Sequence, residues 1–267
     1  MSQCISMNKS SIVEIKNLRK NYGKNQVLHG IDLKIESGQI VGYIGPNGAG
    51  KSTTIKIICG LIADFEGEVS VAGKDLRTQS LEIKKTIGYI PENPLLYESL
   101  TPLEFMEFVG EMRKMNKQYI REKAESLMNL FEMRDNINQR ISTFSKGMRQ
   151  KVMICAGLLH NPDLILMDEP LSGLDANSVI MVKEMLTHLS KGGKTILYSS
   201  HLMDVVEKIS DRIVLIDKGR VIADGPFSEL VKLQEDENLE KLFTRLTGNM
   251  DHEGKATAFI NVFAKTE

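Results

Sequence analysis

The chain has 267 residues, with 34 Lys and Arg against 35 Asp and Glu, three Cys and no Trp. A formal net charge of -1 disfavours a dedicated nucleic-acid binder, because such proteins usually carry a basic domain or stripe. A chain of this length can bury a full core without a disulfide or a metal. We therefore expect a near-neutral globular protein of one large domain or two small ones.

Cysteine usage and hydropathy bear on the compartment. Cys4, Cys59 and Cys155 are widely spaced and form no C-x-x-C pair, so we expect buried or inert thiols and no disulfide framework. Residues 1–11 are polar and do not resemble a signal peptide. No apolar run approaches the roughly 18 residues that cross a bilayer. The sequence predicts a cytosolic chain that reaches a membrane only through another subunit.

Short apolar runs alternate with helical patterns, and several of them are apolar throughout, which is typical of a sheet buried on both faces. Asp217-Lys218-Gly219 predicts a hairpin turn, since Gly readily adopts positive φ. The predicted strands are residues 12–15, 32–35, 39–44, 68–72, 87–90, 164–167, 195–198 and 212–216.

Residues 100–150 differ from the rest, because helical spacing continues there without a strand pattern. Thr101, Pro102 and Glu104 predict a helix start, with Thr as the N-cap, Pro at the first helical position and Glu three residues after the cap. We interpret the segment as a helical subdomain inserted into an α/β core. Its several Met residues indicate either core filling or an adaptable docking surface.

Residues 45–52, Gly-Pro-Asn-Gly-Ala-Gly-Lys-Ser, match the phosphate-binding pattern G-x-x-x-x-G-K-[ST]. A predicted strand precedes them and a helical stretch follows, as this motif requires. The glycines let backbone N–H groups turn towards phosphate oxygens at the positive end of the next helix. Lys51 is then expected to reach the β- and γ-phosphates, and Ser52 to bind Mg²⁺. A purely structural glycine-rich turn is the alternative.

Two further strand ends carry candidate catalytic groups. Asp168 and Glu169 end an apolar strand, where Asp168 can hold Mg²⁺ and Glu169 can orient the attacking water. His201 follows the strand at 195–198 and is expected at the same edge of the sheet. Their alternatives are a helix cap or solvated turn for the carboxylates and a structural role for the histidine.

Three further motifs separate this sequence from other P-loop proteins. Residues 144–148, Phe-Ser-Lys-Gly-Met, resemble the signature usually written LSGGQ, and residues 172–175, Ser-Gly-Leu-Asp, resemble the D-loop. Ser200-His201 resembles the switch histidine. Tyr22 resembles the aromatic residue that stacks on adenine; the alternative is that Tyr22 is an exposed turn residue without this role. From about Val13 to Asp224 the sequence therefore resembles the ATP-binding subunit of an ABC transporter.

The resemblance implies an α/β fold: a P-loop NTPase core with a mainly parallel sheet, an N-terminal antiparallel β subdomain and the inserted α-helical subdomain. We expect an ABC ATPase domain over residues 1–230, followed by a C-terminal helical extension and tail over 231–267 to which the sequence assigns no role. The implied catalytic residues are Glu169 and His201. The implied Mg²⁺ ligands are Ser52, Asp168 and Glu92. The implied nucleotide contacts are Tyr22, Gly45, Asn47, Gly48, Gly50, Lys51, Ser52, Thr53, Ser145, Gly147 and Asp175.

The family mechanism further implies ATP and Mg²⁺ as ligands and a second ATPase subunit, identical or related, bound head to tail. In that dimer Ser145 and Gly147 of one subunit face the nucleotide held by Lys51 of the other. Separate transmembrane permease subunits would hold the chain at the cytoplasmic face of the cell membrane, and no nucleic-acid partner is expected. The variant signature at 144–148, Glu92 and the stretch 238–248 resemble the prokaryotic exporter branch of antibiotic, multidrug and sodium efflux systems.

Three positions depart from the family pattern. Lys146 and Met148 stand where the signature usually has Gly and Gln, and Glu92 replaces the Q-loop glutamine. Glu92 still offers an oxygen to Mg²⁺ or water but adds negative charge near the γ-phosphate, which puts the catalytic rate in question and leaves nucleotide binding intact.

Two other functions compete with transport. A soluble ABC ATPase could act as a mechanical switch, although this chain has a single phosphate loop and no sustained coiled-coil heptads. Another P-loop class, such as a nucleotide kinase, would leave the motifs at 144–148 and 172–175 without a role.

Overall fold

The computed structural model describes residues 11–200, 203–234 and 238–248. A six-stranded sheet forms the centre of the molecule, in the order β10-β9-β3-β8-β7-β6. All neighbouring strands in it are parallel except β10, which pairs antiparallel with β9. Its strands are β3 (Ile40–Ile44), β6 (Ile87–Ile90), β7 (Leu164–Asp168), β8 (Thr195–Ser199), β9 (Arg212–Asp217) and β10 (Arg220–Gly225).

The central sheet lies between two apolar layers, which explains why its inner strands β3, β7 and β8 are buried at every residue. In β7, Ile165 and Met167 belong to the cluster that contains the inserted helices, whereas Leu164 and Leu166 belong to the cluster on the opposite face. Since side chains alternate across a strand, a sheet covered on both faces needs apolar residues on each.

A second sheet is antiparallel and covers the opposite face, in the order β2-β1-β4-β5. Its long strands bury alternate residues, such as Val13 and Ile15 of β1. The helix that follows the phosphate loop contributes Ile55 and Ile58 to the same cluster and so lies between the two sheets. The strands are β1 (Ser11–Tyr22), β2 (Asn25–Glu36), β4 (Glu66–Val71) and β5 (Lys74–Asp75).

Three helices form the inserted part between β6 and β7. The predicted helix start at Thr101 is confirmed: the Glu104 N–H donates to the Thr101 hydroxyl, and the Thr101 N–H donates to the Glu104 carboxylate. The helices are α1 (Lys51–Ile58), α2 (Ser80–Thr86), α3 (Pro102–Met112), α4 (Lys117–Leu130), α5 (Lys146–Leu158), α6 (Ala176–Lys191), α7 (Met203–Ile209), α8 (Phe227–Gln234) and α9 (Leu239–Thr247).

All five strands that were predicted with bounds in the central sheet agree with β3, β6, β7, β8 and β9 to within one residue, because their ends coincide with the ends of the apolar runs. The strands predicted at 12–15 and 32–35 are shorter than β1 and β2, because polar residues on the exposed face interrupt the apolar pattern. The two-residue β5 was missed. The division at residue 230 stays a prediction; α8 crosses it, and Leu239 of α9 is buried in the core cluster of the inserted helices.

Within residues 11–200, 203–234 and 238–248, no helix combines the length and the apolar character needed to cross a bilayer.

Candidate nucleotide site

The phosphate loop connects β3 to α1 and is folded tightly around the Lys51 side chain. The Lys51 ammonium donates to the carbonyl oxygens of Gly45, at 2.7 Å, and Pro46, at 3.3 Å. A Cβ atom at Gly45 would lie 2.1 Å from the Ile216 carbonyl oxygen, so β9 allows only glycine at this position. The loop is therefore already curved around the ammonium group that the motif assigns to phosphate.

A cavity of about 620 Å³ opens over this loop. Glu92, which follows β6, and Glu169, which follows β7, face the same cavity from neighbouring strand ends. Ligands of parallel α/β sheets commonly bind beyond the carboxyl ends of the strands, which is where this cavity lies. Its lining residues are Asn25, Val27, Asn47, Gly48, Gly50, Lys51, Ser52, Thr53, Glu92 and Glu169.

Asp168 and Glu169 are ordered by the neighbouring strand β8. The Ser199 hydroxyl donates to the Asp168 carboxylate at 2.7 Å, and Asp168 is only 3% exposed. The Glu169 N–H lies 3.2 Å from both the hydroxyl and the carbonyl oxygen of Ser199. Glu169 has φ 47°, an unfavourable backbone conformation for a residue other than glycine that is concentrated at functional sites. Ser199 thus holds the carboxylate of Asp168 and the backbone of Glu169.

The electrostatics of Lys51 link it to the three predicted carboxylates. Burial lowers the pKa of the Lys51 ammonium, and the negative charges of Glu169, Asp168 and Glu92 partly oppose that shift. These four ionisable groups therefore lie close enough to interact, as a site for a polyanion and a cation requires. The positive charge of Lys51 is partly desolvated and would interact strongly with phosphate.

Ser145 and Gly147 lie at the start of α5 and do not line the cavity. Ser145 is the N-cap of this helix, and its hydroxyl accepts from the Met148 N–H. A Cβ atom at Gly147 would lie 2.6 Å from the Gly173 carbonyl oxygen, so the start of α5 is packed directly on the 172–175 segment.

Three polar contacts reinforce that packing. Lys146, which stands at a position usually held by glycine, donates to the Ser172 hydroxyl at 3.1 Å. The buried Gln150 side chain donates to the Pro170 carbonyl at 3.1 Å. The Lys151 ammonium lies 3.3 Å from the carboxylate of Asp175, the N-cap residue of α6. The start of α5 and residues 170–175 consequently form one packed unit that begins directly after Glu169.

The structure brings part of the predicted site together in one place. The cavity lining includes Asn47, Gly48, Gly50, Lys51, Ser52, Thr53, Glu92 and Glu169, with Gly45 at the base of the loop and Asp168 at the adjoining strand end. Of the residues that the structure describes, Ser145, Gly147, Asp175 and Tyr22 do not line it. Tyr22 pairs across β1 and β2 with Asn25, which does line it. The predicted catalytic His201 lies outside the described residues.

Sequence reasoning missed Ser199, Asn25 and Val27. Ser199 ends β8 in direct register with Asp168, so the rule that located Asp168 at a strand end could have found it too. Asn25 and Val27 carried no motif, and they reach the cavity only because β2 of the antiparallel sheet passes beside the phosphate loop.

Comparison with known proteins agrees with this geometry. Residues 28–172 match the family described as ABC transporter. The chain belongs to the ABC transporter family. It is 39% identical to "ABC transporter ATP-binding protein NatA" of Bacillus subtilis, over 80% of this chain and 87% of that protein. It is 36% identical to "Linearmycin resistance ATP-binding protein LnrL" of the same organism, over 82% of this chain and 70% of the relative.

Two solved structures of ABC proteins share the fold. One, described as "Structure of ATP binding subunit of ABC transporter", has TM-score 0.83 at 32% identity and covers 88% of this chain and 99% of its own. The other is a dimer of the ATP-binding cassette MJ0796 bound to ADP and Pi, with TM-score 0.75 at 28% identity, covering 80% of this chain and 98% of its own. This ABC protein is thus an ATP-binding subunit of the family and an ATPase, and the nucleotide-kinase alternative is wrong.

Proposed function

We propose that this ABC subunit energises the export of a substrate through separate permease subunits, by binding ATP between two ATPase subunits arranged head to tail. The observation that supports the dimer is that part of the predicted site does not line the cavity. Lys51 and Glu169 face the cavity, whereas Ser145 and Gly147 lie at the start of α5 and do not line it. A second subunit would bring its own copies of these two residues to the open side of the cavity.

Within one subunit, the chain's own residues bind and orient the substrate. The phosphate loop and Lys51 hold the β- and γ-phosphates, and Glu169 orients the attacking water towards the γ-phosphate. His201 acts at the same phosphate, and Tyr22 stacks on the adenine. Because phosphoryl transfer needs positioning and charge stabilisation more than covalent chemistry, a site assembled from two rigid surfaces suits the reaction.

The residues present fit a bound Mg²⁺. The described part of the chain holds no cluster of three His, Cys, Asp or Glu side chains that would bind a metal alone. Ser52 and Glu92 line the cavity, and Asp168 ends β7 directly before Glu169, which also lines it. This set matches the preference of Mg²⁺ for a few protein oxygens supplemented by substrate phosphates and water. When bound, Mg²⁺ would neutralise charge that develops on the phosphate oxygens.

In the dimer, Ser145, Gly147 and Asp175 complete the site of the opposite subunit. The γ-phosphate is then a contact between subunits, so its hydrolysis weakens the dimer and releases the two surfaces. The solved structure of a cassette 28% identical to this chain is a dimer bound to ADP and Pi, which supports a dimeric state.

Export and membrane location rest on the family and on the named relatives. One relative is called a resistance protein, and the sequence details resemble efflux systems, which favours export. The chain would lie at the cytoplasmic face of the membrane, held there by its permease. The alternative is a soluble ABC ATPase that acts as a mechanical switch.

The Glu169→Gln variant tests the ATPase mechanism. It should bind ATP, form a dimer that persists in size-exclusion chromatography with ATP, and hydrolyse at least about 100-fold more slowly, because the orienting carboxylate is lost. Glu184→Gln, at an exposed position on α6, is the matched control and should hydrolyse normally. Normal turnover by Glu169→Gln would remove Glu169 from its role.

Affinity purification from detergent-solubilised membranes separates the transport function from the soluble alternative. A tagged chain should recover a polytopic membrane protein in stoichiometric amounts. Recovery of the ATPase only from the soluble fraction, without such a partner, would contradict the transport proposal and leave the ATPase assignment in place.

A further inference from the structure

Lys20 is a buried basic residue that the proposed function does not use. It lies on β1, two residues before Tyr22, and is 5% exposed. Its ammonium lies 2.9 Å from the Asp64 carboxylate and 4.9 Å from the centroid of the Tyr22 ring, above the ring. The ammonium is thus held between a carboxylate on the segment after α1 and the face of an aromatic ring.

Solvent affects the two contacts of Lys20 differently. The Asp64 side chain is 98% exposed, so solvent screens its attraction for Lys20. The cation–π contact with Tyr22 is stronger when the cation is desolvated, and the lysine is almost completely buried. The position of the ring and the position of the ammonium are therefore coupled.

Tyr22 lies near the nucleotide cavity, so the orientation of its ring can affect ligand binding. The residue is 49% exposed and pairs with Asn25, which lines the nucleotide cavity. The ammonium lies over one face of the ring, so a base that stacks on this half-exposed residue would use the other face. An isolated surface tyrosine at a strand end would sample several rotamers, and ordering it on binding would cost affinity.

We propose that Lys20 is a positioning residue for the nucleotide base: its ammonium, anchored by Asp64, holds the Tyr22 ring in the orientation that stacks on adenine. This inference rests on the proposed role of Tyr22 in base stacking. Lys20 does not touch the nucleotide itself, so its contribution should depend on the base and not on the phosphates.

The test compares binding of ATP with binding of inorganic tripolyphosphate, which carries the phosphates without the base. Lys20→Met keeps the length of the side chain and removes the charge. By isothermal titration calorimetry it should bind ATP about three- to ten-fold more weakly and tripolyphosphate as well as the parent does. In steady-state assays KM for ATP should rise by a similar factor, with kcat within two-fold of the parent.

Three single variants accompany Lys20→Met. Lys16→Met is the matched control: Lys16 also lies on β1, in an exposed ion pair with Glu68 of β4, and its loss should change neither affinity. Lys20→Arg keeps the cation and should restore ATP binding. Asp64→Asn alters an exposed side chain and should weaken ATP binding in the same direction by a smaller factor, which keeps the test valid even if Lys20→Met fails to fold.

Specific outcomes overturn the inference. Unchanged ATP affinity in folded Lys20→Met, or an equal loss for ATP and tripolyphosphate, would show that Lys20 has only a structural role. In a Tyr22→Ala background, Lys20→Met should cause no further loss, and an additional loss would also contradict the inference. If Tyr22→Ala itself binds ATP normally, the result contradicts the proposed stacking role of Tyr22.

Discussion

The Ser199 hydroxyl donates a hydrogen bond of 2.7 Å to the buried Asp168 carboxylate, joining the carboxyl ends of β8 and β7. The same hydroxyl lies 3.2 Å from the Glu169 N–H. One serine therefore orders the proposed metal ligand and the residue proposed to orient water, although it is 31 residues from Asp168 in the chain.

Ser199→Ala should reduce both activity and stability. Loss of a hydrogen-bond donor to a buried carboxylate should lower the free energy of unfolding by about 1–3 kcal/mol, which urea denaturation can measure. We expect kcat to fall about ten-fold and more Mg²⁺ to be needed for half-maximal rate, because Asp168 is no longer held in one orientation. Ser126→Ala, at an exposed position on α4, is the control. An unchanged Mg²⁺ requirement would show that Ser199 is not a positioning group for Asp168.

Lys51→Met should separate binding from folding. The ammonium is buried and its pKa is lowered mainly by that burial, so removing the charge should leave the free energy of unfolding without ATP unchanged or higher. ATP affinity should fall about 100-fold, and the rise in Tm that saturating ATP gives the parent should disappear. Differential scanning fluorimetry with and without ATP measures both effects. A preserved ATP-dependent rise in Tm would exclude Lys51 as a phosphate ligand.

Gly147→Ala should disturb the contact between α5 and residues 170–175. The added Cβ would lie 2.6 Å from the Gly173 carbonyl oxygen, and backbone must move to accommodate it, at a cost of about 1–3 kcal/mol. We expect ATP binding to the isolated subunit to persist and ATP-dependent dimerisation to be lost. Gly225→Ala is the control, because the nearest atom to its added Cβ is 3.6 Å away. Normal dimerisation by Gly147→Ala would argue against this interface.

His160 should make stability depend on pH. Burial, with the nearby positive charge of Arg113, lowers the pKa of His160 from 6.5 to about 4, although its ring bonds the Ile87 carbonyl. Between these values the unfolded chain binds a proton that the folded chain does not, so stability falls as pH falls from about 6.5 to about 4. Comparison of urea midpoints at pH 7 and pH 5 should show a smaller change for His160→Gln than for the parent. The exposed His188→Gln should behave as the parent does, and an equal pH dependence in all three would contradict the assignment.

Local sequence was sufficient to predict those parts of the fold whose physics is local. The phosphate loop needs only its glycines, Lys51 and the elements on either side, all within consecutive residues. The helix start at Thr101 needs only Thr101 and Glu104, three positions apart. The buried strands could be predicted because a sheet covered on both faces requires continuous apolar runs.

The tertiary structure decided every contact that depends on the register of strands or on packing between distant segments. The pairing of β7 with β8 places Ser199 beside Asp168, and packing of α5 places Gly147 against Gly173. Lys20 meets Asp64 across 44 residues because β1 passes the segment that follows α1. By itself the sequence determined which chemical groups the protein has for binding ATP. Only the fold decided which groups hold them in place, because that depends on distances between segments that no local pattern encodes.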